Sequence, residues 1–226
     1  MLEVLLIRHG QTDWNVERRI MGHRPIPLNR RGQREAKLIA KALARIPVDA
    51  IFSSPFLRAI QTATIISKNQ KKKPIVSHEV AEIHYGDWIG KKFEEVSSEK
   101  AFQIYHQTPR KAQAPGGEKM TSVQKRAVKF VESLRKKYQK GRVVVVSHAD
   151  VIKSILVHYL GLDLNELLRF RVDNASLSFL LFNGTRSRVL ALNCPATAEQ
   201  LFASTDQLLP KRLAKRLMPR HKAKKT

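Results

Sequence analysis

Gly141-Arg142-Val143-Val144-Val145-Val146-Ser147-His148-Ala149 (residues 141–149) sets four consecutive β-branched residues between an arginine and a serine. Such side chains favour the pleated strand, and an apolar run without polar alternation predicts a strand covered on both faces, as in a parallel sheet between helices. Leu2–Ile7 alternates as little and predicts a second strand of this kind. Between them, Ala36, Ile39, Ala40 and Leu43 fall at helical spacing within Gly32–Ile46, and Pro47 ends that helix. Ala50–Ser53 is a short strand, and Pro55 opens a helix through about Ser67, where proline costs no hydrogen bond. Lys71–Pro74 is a basic turn, Ile75–Val76 a further strand, and Phe93–His106 two short helices. Pro115-Gly116-Gly117 breaks the chain, placing Glu118 in the first turn of a long helix to about Tyr138. Val151–Leu160 is a helix stopped by Gly161. Ser176–Phe182 and Arg188–Leu192, separated by Asn183-Gly184, form a closing hairpin. Strands alternating with helices predict an α/β fold, a three-layer α/β/α sandwich with a mostly parallel central sheet.

That pattern occupies residues 1–195; residues 196–226 are a basic C-terminal tail of a different kind. Leu208, Leu209, Leu213 and Leu217 there suit one short amphipathic helix, and disorder is expected from Pro219 onward. The chain has 42 Lys and Arg against 19 Asp and Glu, a net charge of +23. Eight of the cations lie in the last sixteen residues without an acid among them; without that stretch, 34 cations face 19 acids, and the charge is still +15. The body itself should therefore attract anions, whether phosphorylated metabolites, nucleic acid or an anionic membrane. The single cysteine, Cys194, rules out an internal disulfide and any multi-cysteine metal site, and suits a small residue at a strand end. Leu2–Ile7 is too short to span a bilayer and lacks the flanks of a signal peptide, so a cytoplasmic protein is expected. The sequence carries no signal for an oligomeric state.

Two histidines stand in equivalent places, His9 after the first strand and His148 after the valine strand. In open α/β sheets the carboxyl ends of strands are where ligands bind. Arg8 precedes His9, and Gly10 follows it, allowing close backbone approach. Ser53-Ser54-Pro55-Phe56-Leu57-Arg58 puts Arg58 in the first turn of a helix leaving another strand end. Free N–H groups and the dipole at such a terminus attract phosphate, and arginine adds a two-pronged donor. Three strand ends, each bearing a phosphate-competent residue, predict a pocket for a phosphoryl dianion.

Leu6-Ile7-Arg8-His9-Gly10-Gln11-Thr12-Asp13-Trp14-Asn15 resembles the signature of the histidine phosphatase superfamily, the phosphoglycerate-mutase-like proteins. Ser53–Ala63 is similar to that family's second motif, and Glu82-Ile83-His84-Tyr85-Gly86-Asp87-Trp88-Ile89-Gly90 to its acid motif, with Ile89 where glutamate is common. Pro115-Gly116-Gly117-Glu118 and Val145–Ala149 complete the set in order, so the resemblance covers about residues 1–195 as a histidine phosphatase domain. It implies that His9 is the nucleophile, that Arg8, Arg58 and His148 neutralise the transferring group, and that Glu82 is the general acid and then the base. Asn15, with Thr12 and the Gly10 backbone, would complete the pocket; Met21, Gly22 and Ala149 are further candidate substrate contacts. The scheme requires no metal and no cofactor. The remaining histidines, His23, His78, His84, His106, His158 and His221, take no role in it.

The same pocket serves mutases and phosphatases. Cofactor-dependent phosphoglycerate mutases of the family carry a long insertion between the acid motif and the Gly-Gly segment, whereas here only a short helical stretch joins Gly90 to Pro115. Where mutases tend to have glutamate and serine this chain has Gln11-Thr12, and where they offer a threonine before glycine it has Met21-Gly22. The expectation is therefore a metal-independent phosphomonoester hydrolase acting on small phosphorylated metabolites through a phosphohistidine. The alternatives are a cofactor-dependent phosphoglycerate mutase, or a protein whose basic tail docks on nucleic acid or an anionic membrane.

Overall fold

The computed structural model describes residues 1–195; the tail, with its expected helix, disorder and docking role, lies outside the described residues. The chain runs β1 (Leu2–Arg8), α1 (Asp13–Val16), α2 (Arg30–Leu43), β2 (Ala50–Ser53), α3 (Leu57–Gln70) and β3 (Ile75–Val76). It continues through α4 (Phe93–Val96), α5 (Lys100–Gln107), α6 (Met120–Lys137), β4 (Gly141–Ser147), α7 (Ala149–Tyr159), β5 (Leu177–Asn183) and β6 (Arg186–Cys194). The six strands form one sheet in the order β3-β2-β4-β1-β5-β6. β1 and β4 pair parallel, as do β2 with β4 and with β3, while β5 runs antiparallel to both β1 and β6.

The unbroken apolar runs now have their explanation, because both faces of the sheet are covered. Leu5 and Ile7 with Val144 and Val146 pack on Ile39 and Leu43 of α2 and Ala59, Ala63 and Ile66 of α3. Val4 and Leu6 with Val143 and Val145 pack on Val123, Ala127 and Val131 of α6 and Val151, Ile152 and Ile155 of α7. Each such side chain, fully buried, contributes roughly 1.5–3 kcal/mol, and the fold is the three-layer α/β/α sandwich.

Parallel pairing also brings three strand ends to one edge. Just past the strands, His9 N–H donates to Ser147 O at 3.0 Å and Ser54 N–H to Val146 O at 2.9 Å. The sheet's own hydrogen bonding therefore fixes the backbone at His9, Ser54 and His148.

Several boundaries differ from the sequence expectation. Pro55 stays outside α3, whose N-cap is Phe56, although Arg58 remains in the first turn; Lys71, at φ 50°, ends the helix. α6 begins at Met120, so Glu118 does not face that helix's dipole but binds Arg126, with Nε donating at 2.9 Å. α7 begins at Ala149, capped by extended His148, two residues before its apolar stripe starts. The hairpin corner falls at Gly184-Thr185, because Asn183 stays in β5 and Gly184 takes φ 59°. α1 was not expected; Thr12 and Asn15 build its single turn as a reciprocal capping box. Cys194 ends β6, half-buried and unpaired, as its position suggested.

The loop after His9 meets α2 backbone to backbone. A Cβ on Gly32 would stand 2.0 Å from Gln11 O, and one on Gly10 would stand 2.5 Å from Gly32 O. Alanine normally stabilises a helix interior by roughly 0.5–1 kcal/mol over glycine. Here Gly32→Ala is expected to reverse that sign and cost about 1–3 kcal/mol, since backbone must move. A denaturant midpoint equal to or above that of the wild type would refute the close approach.

Candidate active site

His9, only 1% exposed, is held by its own loop: ring Nδ1–H donates to Gly10 O at 2.8 Å. A carbonyl can only accept, so Nδ1 carries the proton and Nε2 keeps its lone pair. Burial, then the charges of Arg58 and Arg8, hold the ring's pKa well below the ordinary histidine value, which keeps it neutral. His148, at 5.1 Å between ring centroids, is wholly buried and also neutral through burial, Arg58 and His9. Ser54 Oγ accepts Phe56 N–H at 3.4 Å and is assigned as donor to His148 Nε2 at 2.7 Å, which leaves the proton on Nδ1.

Arg8 comes from the end of β1 and Arg58 from the first turn of α3. Arg8 Nη1 donates to Val172 O at 2.8 Å, and Arg58 donates to Gly22 O at 2.8 Å and Arg24 O at 3.2 Å. Both guanidinium groups are thereby fixed, and burial lowers the pKa of each. Arg8 Nε, Arg58 Nε and His148 Nδ1 are buried without a hydrogen-bond partner. An unmade bond on a buried donor costs about 1–3 kcal/mol, so three such donors around one neutral histidine are the mark of a site shaped for an anion.

Glu82, 9% exposed, has its Oε1 accepting Ile83 N–H at 3.1 Å and its Oε2 at 3.5 Å from His148 Nδ1. Burial first, and the nearby Asp150 charge second, push its pKa up to about 7. With the imidazole neutral, that contact is not an ion pair. The segment carrying Glu82 is clamped from behind. Arg126 donates to Glu79 O at 2.8 Å and Ala81 O at 2.7 Å, and His23 lies 3.0 Å from Glu82 O.

At Arg8 and Glu82 opens a cavity of about 440 Å³, within the range of small-molecule sites. Asn15, Met21, Gly22 and Ala149 line it, together with Arg8, Glu82, Phe102 and Tyr105, whereas His9, Arg58 and His148 are not among its lining residues. Asn15 Oδ1 accepts from Thr12 N–H at 3.0 Å and Asn174 Nδ2 at 3.2 Å, which fixes the orientation of its amide. Gly10 and Thr12 act behind the wall: Gly10 N–H donates to Thr62 Oγ1 at 3.1 Å, and Thr12 Oγ1 lies 3.3 Å from Met21 Sδ. Sequence reasoning missed Ser54, Tyr85, Asp150 and Asn174. Ser54 and Tyr85 sit inside quoted motifs, but their partners are distant in sequence and only the fold brings them together. Among the described residues, no group of three or more His, Cys, Asp and Glu is arranged to hold a metal, and no helix is long and apolar enough to cross a membrane.

Residues 4–195 match the model of the histidine phosphatase superfamily (branch 1). Phosphoserine phosphatase 1 of Hydrogenobacter thermophilus is 35% identical over 195 residues, covering 85% of this chain and 92% of that one. Among solved structures, Bacillus stearothermophilus YhfR superposes with a TM-score of 0.81 at 30% identity, over 86% of this chain and 98% of its own. An Entamoeba histolytica phosphoserine phosphatase mutant in complex with phosphoserine gives a TM-score of 0.79 at 25% identity, over 89% and 99%. The match over residues 4–195, on a sandwich shared with these proteins, places the chain in the histidine phosphatase superfamily, branch 1.

Proposed function

We propose that the chain hydrolyses small phosphorylated metabolites through a phosphohistidine on His9, without a metal. The chain is a phosphatase of its family, and the observation that carries the finer reading is the set of three unpartnered buried donors around His9. In the first step His9 Nε2 attacks phosphorus, the P–O bond to the leaving group breaks, and that oxygen takes the Glu82 proton. Arg8, Arg58 and His148 Nδ1–H hold the phosphoryl oxygens throughout, supplying charge stabilisation from groups already in place. In the second step the Glu82 carboxylate removes a proton from water, the water oxygen attacks phosphorus, and the P–N bond breaks to release phosphate and neutral His9. Residues 1–195 are the catalytic domain in this reading, with the tail outside the chemistry.

The cavity's size suits a metabolite rather than a macromolecule; the cations on its border, Arg18, Arg19, Lys153 and Arg171, are each paired with an acid (Glu94, Glu17, Asp150 and Asp173). Phosphoserine, bound or cleaved by the relatives above, belongs in the first substrate panel. The second reading is a mutase, in which a sugar-acid hydroxyl replaces water as acceptor; only the short α4–α5 stretch between Gly90 and Pro115 separates the acid motif from the Gly-Gly segment here. Turnover of p-nitrophenyl phosphate is expected to be unchanged by excess EDTA, with phosphate release far exceeding interconversion of 2- and 3-phosphoglycerate. Loss of turnover in EDTA, or dominant interconversion, would reject the reading.

A further inference from the structure

Glu82 lies near a second buried carboxylate that the scheme above leaves unused. Asp150 is the second residue of α7, two after His148, and is 6% exposed. Its Oδ2 accepts hydroxyl hydrogen bonds from Tyr85, three residues beyond Glu82, and from Tyr105 of α5. Its Oδ1 lies 3.6 Å from Lys153 Nζ, nearly one turn further along α7. Asp150, Tyr85, Tyr105 and Lys153 all line the same cavity as Arg8. One carboxylate therefore joins the acid-bearing segment, α5 at the cavity wall, and α7, the helix capped by His148. α5 has no fully buried residue of its own, so this tie matters to where it sits.

Two buried carboxylates lining one cavity do not both ionise readily, and the donors decide which keeps the charge. Asp150 has two hydroxyls and an ammonium group. The Glu82 carboxylate has one main-chain N–H, and its Oε2 faces the neutral His148 ring. Arg8 and Arg58 face Glu82 from β1 and α3, but their Nη atoms donate to the carbonyls of Val172, Gly22 and Arg24. From α6, Arg126 reaches only the main-chain oxygen of Glu82, at 3.5 Å.

We propose that Asp150 is a positioning residue for Glu82, tying the acid segment and α5 to α7 through Tyr85 and Tyr105 and placing a fixed negative charge beside the acid. This rests on Glu82 being the proton donor. The balance of charges agrees: burial and Asp150 raise the Glu82 pKa, whereas Arg58 and Arg8 lower it. Against the cost of its own burial, Asp150 is held below the ordinary carboxyl range by Lys153 and the two tyrosines. Without the Asp150 charge, Glu82 would lose its proton at lower pH, and the acid form would fail earlier as pH rises.

The test is the pH profile of kcat/KM for phenyl phosphate in the wild type, Asp150→Asn, Tyr105→Phe and Glu82→Gln. Asparagine keeps an acceptor for the tyrosines and removes the charge. Asp150→Asn is expected to move the falling limb down by about one pH unit, giving about a tenfold deficit at pH 8 and near-equality at pH 5. Tyr105→Phe keeps the charge and cuts the tie to α5, so KM should rise severalfold with the limb near its wild-type position. A limb unmoved in Asp150→Asn, with equal loss at every pH, would reduce Asp150 to a structural role and overturn the proposal. Should that variant not fold, an unchanged KM in Tyr105→Phe overturns it instead. Glu82→Gln separates the two levels: if it keeps the falling limb, the assignment of Glu82 itself fails, whereas a limb lost there but unmoved in Asp150→Asn defeats only the role of Asp150.

Discussion

Replacing His9 by alanine is expected to lower turnover of p-nitrophenyl phosphate by about 10⁴-fold or more, because the step that forms the covalent intermediate disappears. The expectation follows from what stays and what goes. Arg8 and Arg58 are anchored by main-chain carbonyls and His148 by Ser54, so the anion-binding donors do not depend on the His9 ring. Inorganic phosphate should then bind the variant within a fewfold of its wild-type affinity while catalysis is lost. A variant that retains turnover within tenfold of the wild type would mean that water, or another group, attacks phosphorus directly. Loss of phosphate binding together with turnover would mean that His9 shapes the pocket rather than reacting in it.

Glu82→Gln should have the next largest effect, and its size should depend on the leaving group. An alkoxide cannot leave without a proton, so hydrolysis of glycerol phosphate should fall by about 10²–10⁴-fold. p-Nitrophenolate leaves unprotonated, so the first step should be nearly spared, while the second still lacks a base. The visible result would be a burst of p-nitrophenol, close to one per active site, followed by slow release of phosphate. In the wild type, activity on alkyl phosphates should fall as pH rises through about 7, where Glu82 loses its proton, and this limb should be absent from the variant. Stability has the same sign. A carboxyl raised from its usual range to about 7 favours the folded state most at low pH, and that contribution is lost as pH rises through 7. Equal rate losses for glycerol phosphate and p-nitrophenyl phosphate, with no burst, would deny Glu82 the role of proton donor.

Much of this was legible in the chain itself. The valine strand and Leu2–Ile7 are apolar on both faces because both faces are covered, and the strand ends that carry His9, Ser54 and His148 follow from that arrangement. The ends of helices were less legible. Glu118 looks like a favourable first-turn acid, but it stands before the N-cap Lys119 and pairs with Arg126, eight residues on. Pro55 is permitted in a first turn, yet the chain needs one more extended residue, Phe56, before the helix can begin. Asp150 was hidden for a similar reason. An acid in the first turn of a helix already has a local explanation in the dipole, so nothing in sequence points to Tyr85 and Tyr105, 65 and 45 residues away. Motifs revealed the residues proposed to contact a phosphoryl group, whereas the residues that hold those in place are recruited from distant segments and leave no local pattern.

The central claim, a phosphoryl group carried on His9, is tested most directly by rapid quenching of the enzyme with ³²P-labelled p-nitrophenyl phosphate into alkali. The expected result is a label approaching one per chain within the burst, stable in base, labile in acid, located in the peptide containing His9, and absent from His9→Ala. Turnover of the wild type with no covalent label on that peptide at any quench time would contradict the account.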